Sequence, residues 1–269
     1  MGVIPDYSLP PLTFAREGTR IADLIRQVPT TASTVTTYEV NAAATAAAPV
    51  AEGGAKAESD PEWAAVANPV EKIAHFATVS TELLADVAGF QQIVAEELFG
   101  GLQLAESDQL LNGSGVSPNL EGILTNASIQ AQAGAGTDID ELLAAITKLR
   151  TVGFTEPDAV VMHPDDWNSS ELATAKDTTN AYLAGRPFEA GPATIWGVPV
   201  VLTTSIASGS ALVGNFADGA RIYVREAPRL FADPYTLATS NQVRLIAEQR
   251  LALAVLRPKA FCSVVVNTA

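Results

Sequence analysis

Residues 35–72 constrain this chain most, because they read as strand with no core to sit on. The run opens VTTYEVNAAATAAAPV and returns as WAAVANPVEK. Val35, Thr37 and Glu39 alternate on the way out, and Trp63, Ala65 and Ala67 on the way back, as in paired β-strands. Between them lie Ala, Gly and acidic residues, with no apolar face wide enough to bury. A lone two-stranded hairpin is marginal in water. A patterned hairpin this poor in apolar side chains therefore needs a partner surface, and another subunit is the usual source. The expectation is an assembly protein.

The rest of the composition is compatible with that. The chain has 269 residues, enough for one large domain or two modest ones with a real core. Only 17% of residues are charged against 48% hydrophobic. Charge depletion of this kind marks surfaces buried against copies of the same chain; an Ala-rich proteome gives the same bias, so both readings stand. The net charge of −14 excludes tight nucleic-acid binding, which needs Lys and Arg on phosphates. A wall that encloses nucleic acid without gripping it tolerates such a charge. No apolar run reaches the ~20 residues of a membrane span, and MGVIPDYSLPPL lacks the pattern of a signal peptide. A soluble protein made inside a cell is expected, with no membrane partner. The single cysteine, Cys262, lies in AFCSVVV, excludes an intrachain disulfide framework and reads as a small buried hydrophobe.

Along the chain, Pro5, Pro10 and Pro11 keep the beginning extended, and a short helical piece is expected over residues 19–27. After the hairpin, a long helix is expected over residues 81–111, capped by Ser80 or Thr81. Leu83, Leu84, Val87, Phe90, Ile93, Val94, Leu98 and Leu102 recur in it at helical spacing. At ~1.5 Å per residue it would extend about 45 Å, the length of a strut, with a kink expected at Gly100-Gly101. Asn112-Gly113-Ser114-Gly115 ends it. A second helix is expected to Thr151, capped by Thr137 or Asp138, followed by a strand over 158–162 and a helix opened by His163-Pro164-Asp165-Asp166. Residues 176–192 read as a loop. Strands are expected over 194–203, 211–214, 221–225, 241–257 and 260–266. Irregularly spaced strands around intervening helices indicate an α+β fold.

Conventional active-site chemistry is missing. Asn112-Gly113-Ser114-Gly115 lacks the Lys-Ser/Thr ending of a phosphate-binding loop, no Gly-x-Ser-x-Gly elbow occurs, and no cofactor motif is present. His75 and His163 have no metal-ligand spacing around them. His163-Pro164-Asp165-Asp166 reads as a helix start, with proline and acids favoured in the first turn, so neither a metal nor a cofactor is expected.

Five ordered motifs nevertheless carry a resemblance. They are Ala51-Glu52 through Lys56-Ala57-Glu58-Ser59-Asp60, Leu110-Leu111-Asn112-Gly113, Leu120-Glu121-Gly122-Ile123, Trp196-Gly197-Val198-Pro199-Val200-Val201, and Glu248-Gln249-Arg250-Leu251-Ala252-Leu253-Ala254 with Arg257-Pro258. Each is weak alone. In this order, over nearly the whole chain, they resemble the major capsid proteins of tailed bacteriophages with the Hong Kong 97-type fold. The resemblance implies an N-terminal arm (residues 1–34), an E-loop hairpin (35–72) and a peripheral domain with the spine helix (73–116). It further implies an axial domain (117–220), long peripheral strands (221–256) and a last strand returning to the axial domain (257–269). It implies a homo-oligomeric shell of hexamers and pentamers around double-stranded DNA, assembled in the host cytoplasm into the virion capsid. Portal, scaffolding and decoration proteins are the implied partners.

In self-crosslinking members of that family, a hairpin lysine attacks an asparagine of a neighbouring subunit while a glutamate from a third takes the proton. The matching positions here are Lys56, Asn241 and Glu248, with Val50 and Ile246 as apolar neighbours. Lys56 must lose its charge to act as nucleophile. Asn241 and Glu248 are up to ~23 Å apart along a strand, so the site has to be shared between chains. The plainer roles are a solvated tip for Lys56, a strand-entry cap for Asn241, and an ion pair with Arg244 or Arg250 for Glu248. Members often carry an N-terminal scaffolding region, whereas here Met1 stands directly before the arm; a separate scaffold or a trimmed chain would account for that. Two alternatives are an encapsulin-like nanocompartment shell that packages enzymes, and a monomeric α+β enzyme using Asp165 and Asp166.

Overall fold

The computed structural model describes residues 20–42, 46–59, 62–86, 90–133, 136–168 and 193–266. The arm up to residue 19 and the loop expected over residues 176–192 lie outside them. The strands are β1 (Arg26–Pro29), β2 (Thr34–Ala42), β3 (Glu62–Pro69), β4 (Glu71–Ser80), β5 (Gln130–Gln132) and β6 (Ala159–Met162). They continue as β7 (Thr194–Ile195), β8 (Val198–Leu202), β9 (Ser210–Gly214), β10 (Ala220–Asp233), β11 (Gln242–Val255) and β12 (Phe261–Val265). The helices are α1 (Thr81–Asp86), α2 (Phe90–Asn112), α3 (Asp138–Thr151), α4 (Pro164–Trp167) and α5 (Phe216–Gly219). Three sheets result, with strand orders β1-β10-β11-β4, β5-β12-β9-β6-β8-β7 and β2-β3. The α+β expectation holds.

In the six-stranded sheet, side-chain alternation divides the core in two. Val160, Met162, Ala211, Val213, Cys262 and Val264 point toward α3, meeting Leu142, Ala145, Ile146 and Leu149. Ala159, Val161, Leu212 and Phe261 point the other way, into a cluster with Leu110 and Leu111 at the end of α2. Cys262 is fully buried, and burial pushes its thiol up to about 11. A maleimide at neutral pH should therefore leave the native chain unlabelled and modify Cys262 fully in denaturant. Native labelling at the rate of a free thiol would contradict this packing.

Several element boundaries follow from local chemistry. Thr137 caps α3 by accepting from the Asp140 amide at 3.4 Å, and α3 carries three acids in its first turn and Lys148 and Arg150 in its last, both favourable with the helix dipole. The expected helix over residues 81–111 is described as α1 and α2, with residues 87–89 outside the described set. Helix α2 runs through Gly100-Gly101 as one element. Gly101 is small for a packing reason: a Cβ there would lie 2.7 Å from the His75 ring. The piece expected over residues 19–27 is a 3₁₀ turn only at Ile21–Asp23, and Gln27 is already in β1. Strand β1 takes that chain because its backbone pairs in parallel with β10. Behind it, Arg20 holds the buried Glu106 of α2 at 2.7 Å.

The strand expected over 194–203 is a hairpin. Trp196 and Gly197, at φ 50° and 81°, form its two-residue turn, and Ile195 pairs with Val198. The strand expected over 221–225 extends to Asp233, because its register slips on either side of Glu226 and the pairing with β11 then resumes.

The β2–β3 hairpin needs a partial correction. Its register places Val35, Thr37 and Glu39 on one face and Trp63, Ala65 and Ala67 on the other. The first face is covered by this same chain at the hairpin's root, where β2 and β3 run beside β11. Thr37 and Asn68 are buried there, joined by an Asn68 Nδ2 to Thr37 Oγ1 hydrogen bond of 3.0 Å. Burial, and secondarily the charge of Glu121, raise the pKa of Glu39. The second face and the outer half stand open: Tyr38, Trp63, Ala65 and Ala67 are exposed, as are residues 47–59.

Candidate functional site

The charged face of the four-stranded sheet gathers most of the chemistry. Strand alternation on β4 and β11 turns His75, Val79, Leu245 and Ala247 toward α2, where His75 Nε2 lies 2.6 Å from the Leu98 carbonyl. The opposite face carries Lys72 and Phe76 of β4, Arg244, Ile246, Glu248 and Arg250 of β11, and Glu226, Arg229, Phe231 and Asp233 of β10. Phe76, Ile246 and Phe231 line up across three strands by register, with the Arg244 and Arg229 guanidinium carbons 5.2 and 5.8 Å from the Phe76 and Phe231 ring centres.

Glu248 is the centre of this face. It is 4% exposed, and both its carboxylate oxygens are engaged by cations from the flanking strands. Lys72 Nζ reaches Oε2 diagonally from β4, and Arg229 faces Oε1 from β10, with Nε at 3.0 Å. The slip after Glu226 makes the second contact possible: residues three apart on a regular strand face opposite sides, yet here Glu226 and Arg229 share one. Glu226 then pairs with Arg250 at 3.3 Å and Arg229 at 3.4 Å. Hydrogen bonds from Lys72 and then Arg229 hold the Glu248 carboxyl below the usual carboxylate range, against the opposing effect of burial. A depressed carboxyl stabilises the fold at pH above its unfolded value, and that contribution is lost as pH falls through the folded value. The ion-pair partners expected for Glu248, Arg244 and Arg250, are turned instead to Asp233 and Glu226.

The three residues matched to the crosslink lie apart. Lys56 is exposed in the segment joining β2 to β3, beyond the turn in which the Gly54 amide donates to the Ala51 carbonyl at 2.8 Å. Val50 on that segment is 45% exposed. Asn241 is exposed at the entrance to β11 in a left-handed conformation, φ 51°, and its carbonyl accepts from the Thr81 amide at 2.9 Å. Glu248 lies seven residues further along. Asn241 lies just before β11 and Glu248 within it, so the strand holds the two apart in one chain. Sequence reasoning missed Lys72, Arg229 and Glu226; the one available signal was the charged cluster Arg225, Glu226 and Arg229, interrupted by Pro228.

The His163 region is a helix start. His163 Nδ1 accepts from the Asp165 amide at 3.2 Å, Pro164 opens α4, and buried Asp166 accepts from Ser208 Oγ at 2.7 Å and the Gly209 amide at 2.9 Å. The Asp166 carboxylate is occupied in closing a loop, while the exposed Asp165 carboxylate lies beside His163. Among the described residues, no group of three or more His, Cys, Asp and Glu side chains could hold a metal ion, and no helix is long and apolar enough to cross a membrane.

Similar proteins include phage and GTA capsid chains. A family model described as the phage capsid family matches residues 13–266. The major capsid protein of Enterobacteria phage HK97 is 32% identical over 219 residues, which are 78% of this chain and 55% of that protein. The chain thus spans about half the length of that relative. A solved capsid chain of an empty GTA particle superposes with a TM-score of 0.79 at 19% identity, covering 98% of this chain and 95% of that one. A chain of Mycobacterium phage Bobi gives 0.72 at 17% identity, covering 99% and 96%. The three sheets, the long α2 helix and the projecting hairpin therefore occur together in a known architecture, and this chain belongs to the phage capsid family, with the Hong Kong 97-type fold.

Proposed function

We propose that the chain is the coat subunit of a phage-type icosahedral shell, built from hexamers and pentamers around double-stranded DNA in the virion. The observation that carries this reading is the exposed outer half of the hairpin, residues 47–59, rooted on a folded body of capsid-family architecture. A two-stranded extension of this length is stabilised when it lies on a neighbour. Many modest contacts of that kind sum to a closed lattice, since each contact already made holds the next pair of surfaces close. The acidic balance, −14 overall, suits an enclosing wall rather than a DNA-binding surface. Portal, scaffolding and decoration proteins complete such a particle. The match to phage and GTA capsids favours this reading over a nanocompartment shell. Negative-stain microscopy of the expressed protein tests it: closed polyhedral shells or hexameric rings are expected, whereas a monomer at every concentration and salt condition tried would reject it.

Within that shell, Lys56 of one subunit is proposed to link to Asn241 of a second. The neutral amine attacks the amide carbon, the C–N bond to the leaving nitrogen breaks, and ammonia departs, leaving a secondary amide. Glu248 of a third subunit takes the proton from the attacking amine and passes it to the leaving nitrogen, so it ends unchanged. Boiled shells should then run on a denaturing gel as a ladder above the 28.0 kDa subunit. Lys56→Arg should abolish the ladder while shells still form. A single subunit band from mature wild-type shells excludes the linkage.

A further inference from the structure

A proton acceptor needs basicity, and in this chain Glu248 is kept from showing it. Its carboxylate is almost fully buried while the cations on it are not: the Lys72 and Arg229 side chains are 44% and 59% exposed. Each cation comes from a different neighbouring strand, and each occupies one carboxylate oxygen. The surrounding charges leave the knot balanced on its β10 side only. Glu226 shares Arg229 and takes Arg250, and Arg244 is drawn toward Asp233. On the β4 side, Lys72 has no second acid partner among the ion pairs of the described residues. Face-to-face with Glu248, β4 presents only Ala74. Lys72 is therefore the more removable of the two, held by one carboxylate where Arg229 is held by two.

We propose that Lys72 and Arg229 restrain Glu248 as a base, and that linkage proceeds where an arriving neighbour draws the exposed Lys72 ammonium away from the buried carboxylate. The inference rests on the Lys56–Asn241 linkage proposed above and assigns its control to this chain's own sheet. Both are positioning residues, since they act through Glu248 and need not touch the reacting atoms. The arrangement makes chemical sense for a particle that must not lock before its subunits are seated. While both cations stay in place the carboxylate is a poor acceptor, and its direction of shift agrees. When a neighbouring surface displaces one of them in a site emptied of water, the remaining charge is less well balanced and the proton of the attacking amine is drawn to Glu248.

Three sets of shells test this: wild type, Lys72→Met and Lys72→Arg, each followed by gel as linkage proceeds at a series of pH values. Lys72→Met should form the ladder about threefold faster or more near neutrality. The acid limb of its pH profile should also move upward, because Glu248 then takes up its proton at higher pH. Lys72→Arg should restore the wild-type rate and profile, which a role in packing alone would not require. Arg229→Met should move the limb the same way. A ladder in wild type with an unchanged rate and profile in Lys72→Met overturns the restraint and leaves the linkage standing. No ladder in any of the three removes the linkage itself, and the restraint with it.

Discussion

Phe261→Ala is expected to lower the unfolding free energy of the unassembled subunit by about 3–5 kcal/mol, the range for emptying a fully buried aromatic site. The ring sits at the first residue of β12, completely buried, and meets Phe216 edge to face at 5.3 Å with an interplanar angle of 76°. Such a pair adds roughly 0.5–1.5 kcal/mol beyond the area it removes from water. The void would not close easily. One side of the ring is walled by backbone at Gly219, where even an added Cβ would come within 2.7 Å of it. The chain around it is pinned: the Asn215 amide donates to the Ala260 carbonyl at 3.0 Å, and Asp158 holds the Phe216 and Ala217 amides at 2.9 Å each. The cluster that Phe261 centres also contains Leu110 and Leu111 of α2 and Ile222 and Leu253 of β10 and β11. It therefore joins the six-stranded sheet to the four-stranded one, and its loss should weaken both together. Chemical denaturation with a single transition displaced to lower denaturant is the expected result. A change below about 1 kcal/mol would mean that the two sheets do not share this core.

Elements specified by neighbours along the chain are legible in the sequence itself. Helix α3 begins and ends where Thr137 and the apolar spacing of Leu142, Ile146 and Leu149 place it, since cap and face are both local. The same is true of α4, opened by His163 and Pro164. The final strand is readable as a continuous apolar run because both faces of its sheet are covered, so alternation disappears. The elements that sequence pattern misplaces are set by pairing across long separations. Residues 194–203 look like one apolar strand, whereas Trp196 is forced into a left-handed turn by the pairing of β7 with β8. The end of β10 is charged and contains Pro228, yet it is strand because β11 lies alongside it. The candidate site shows the same division. The family resemblance matches positions to Lys56, Asn241 and Glu248, whereas Lys72 and Arg229 belong to Glu248 only through a register that links residues 72, 229 and 248. No periodicity within one segment encodes such a meeting.

Excising residues 46–59 and closing the hairpin with a short Asn-Gly turn should abolish shell assembly and leave the subunit folded. The reason lies in how unevenly the hairpin is supported. Its root is held by the paired register of β2 and β3 and by the buried Asn68–Thr37 contact, all of which the excision spares. The removed segment is exposed from residue 47 to residue 59, so within one chain it buries nothing that folding would miss. The thermal transition of the shortened subunit should stay within the small range of surface changes, about 0.5 kcal/mol. In the proposed lattice the same segment is a contact made by every copy, and a deficit of even ~1.4 kcal/mol per contact is tenfold in each association step. Those factors multiply as a shell closes, so particle yield by sedimentation should drop to background rather than by a fraction. The pairing of outcomes is what discriminates. Lost assembly with a lowered melting transition would show that the tip supports its own chain, while normal shells from a fully folded, shortened subunit would show that the neighbours never needed it.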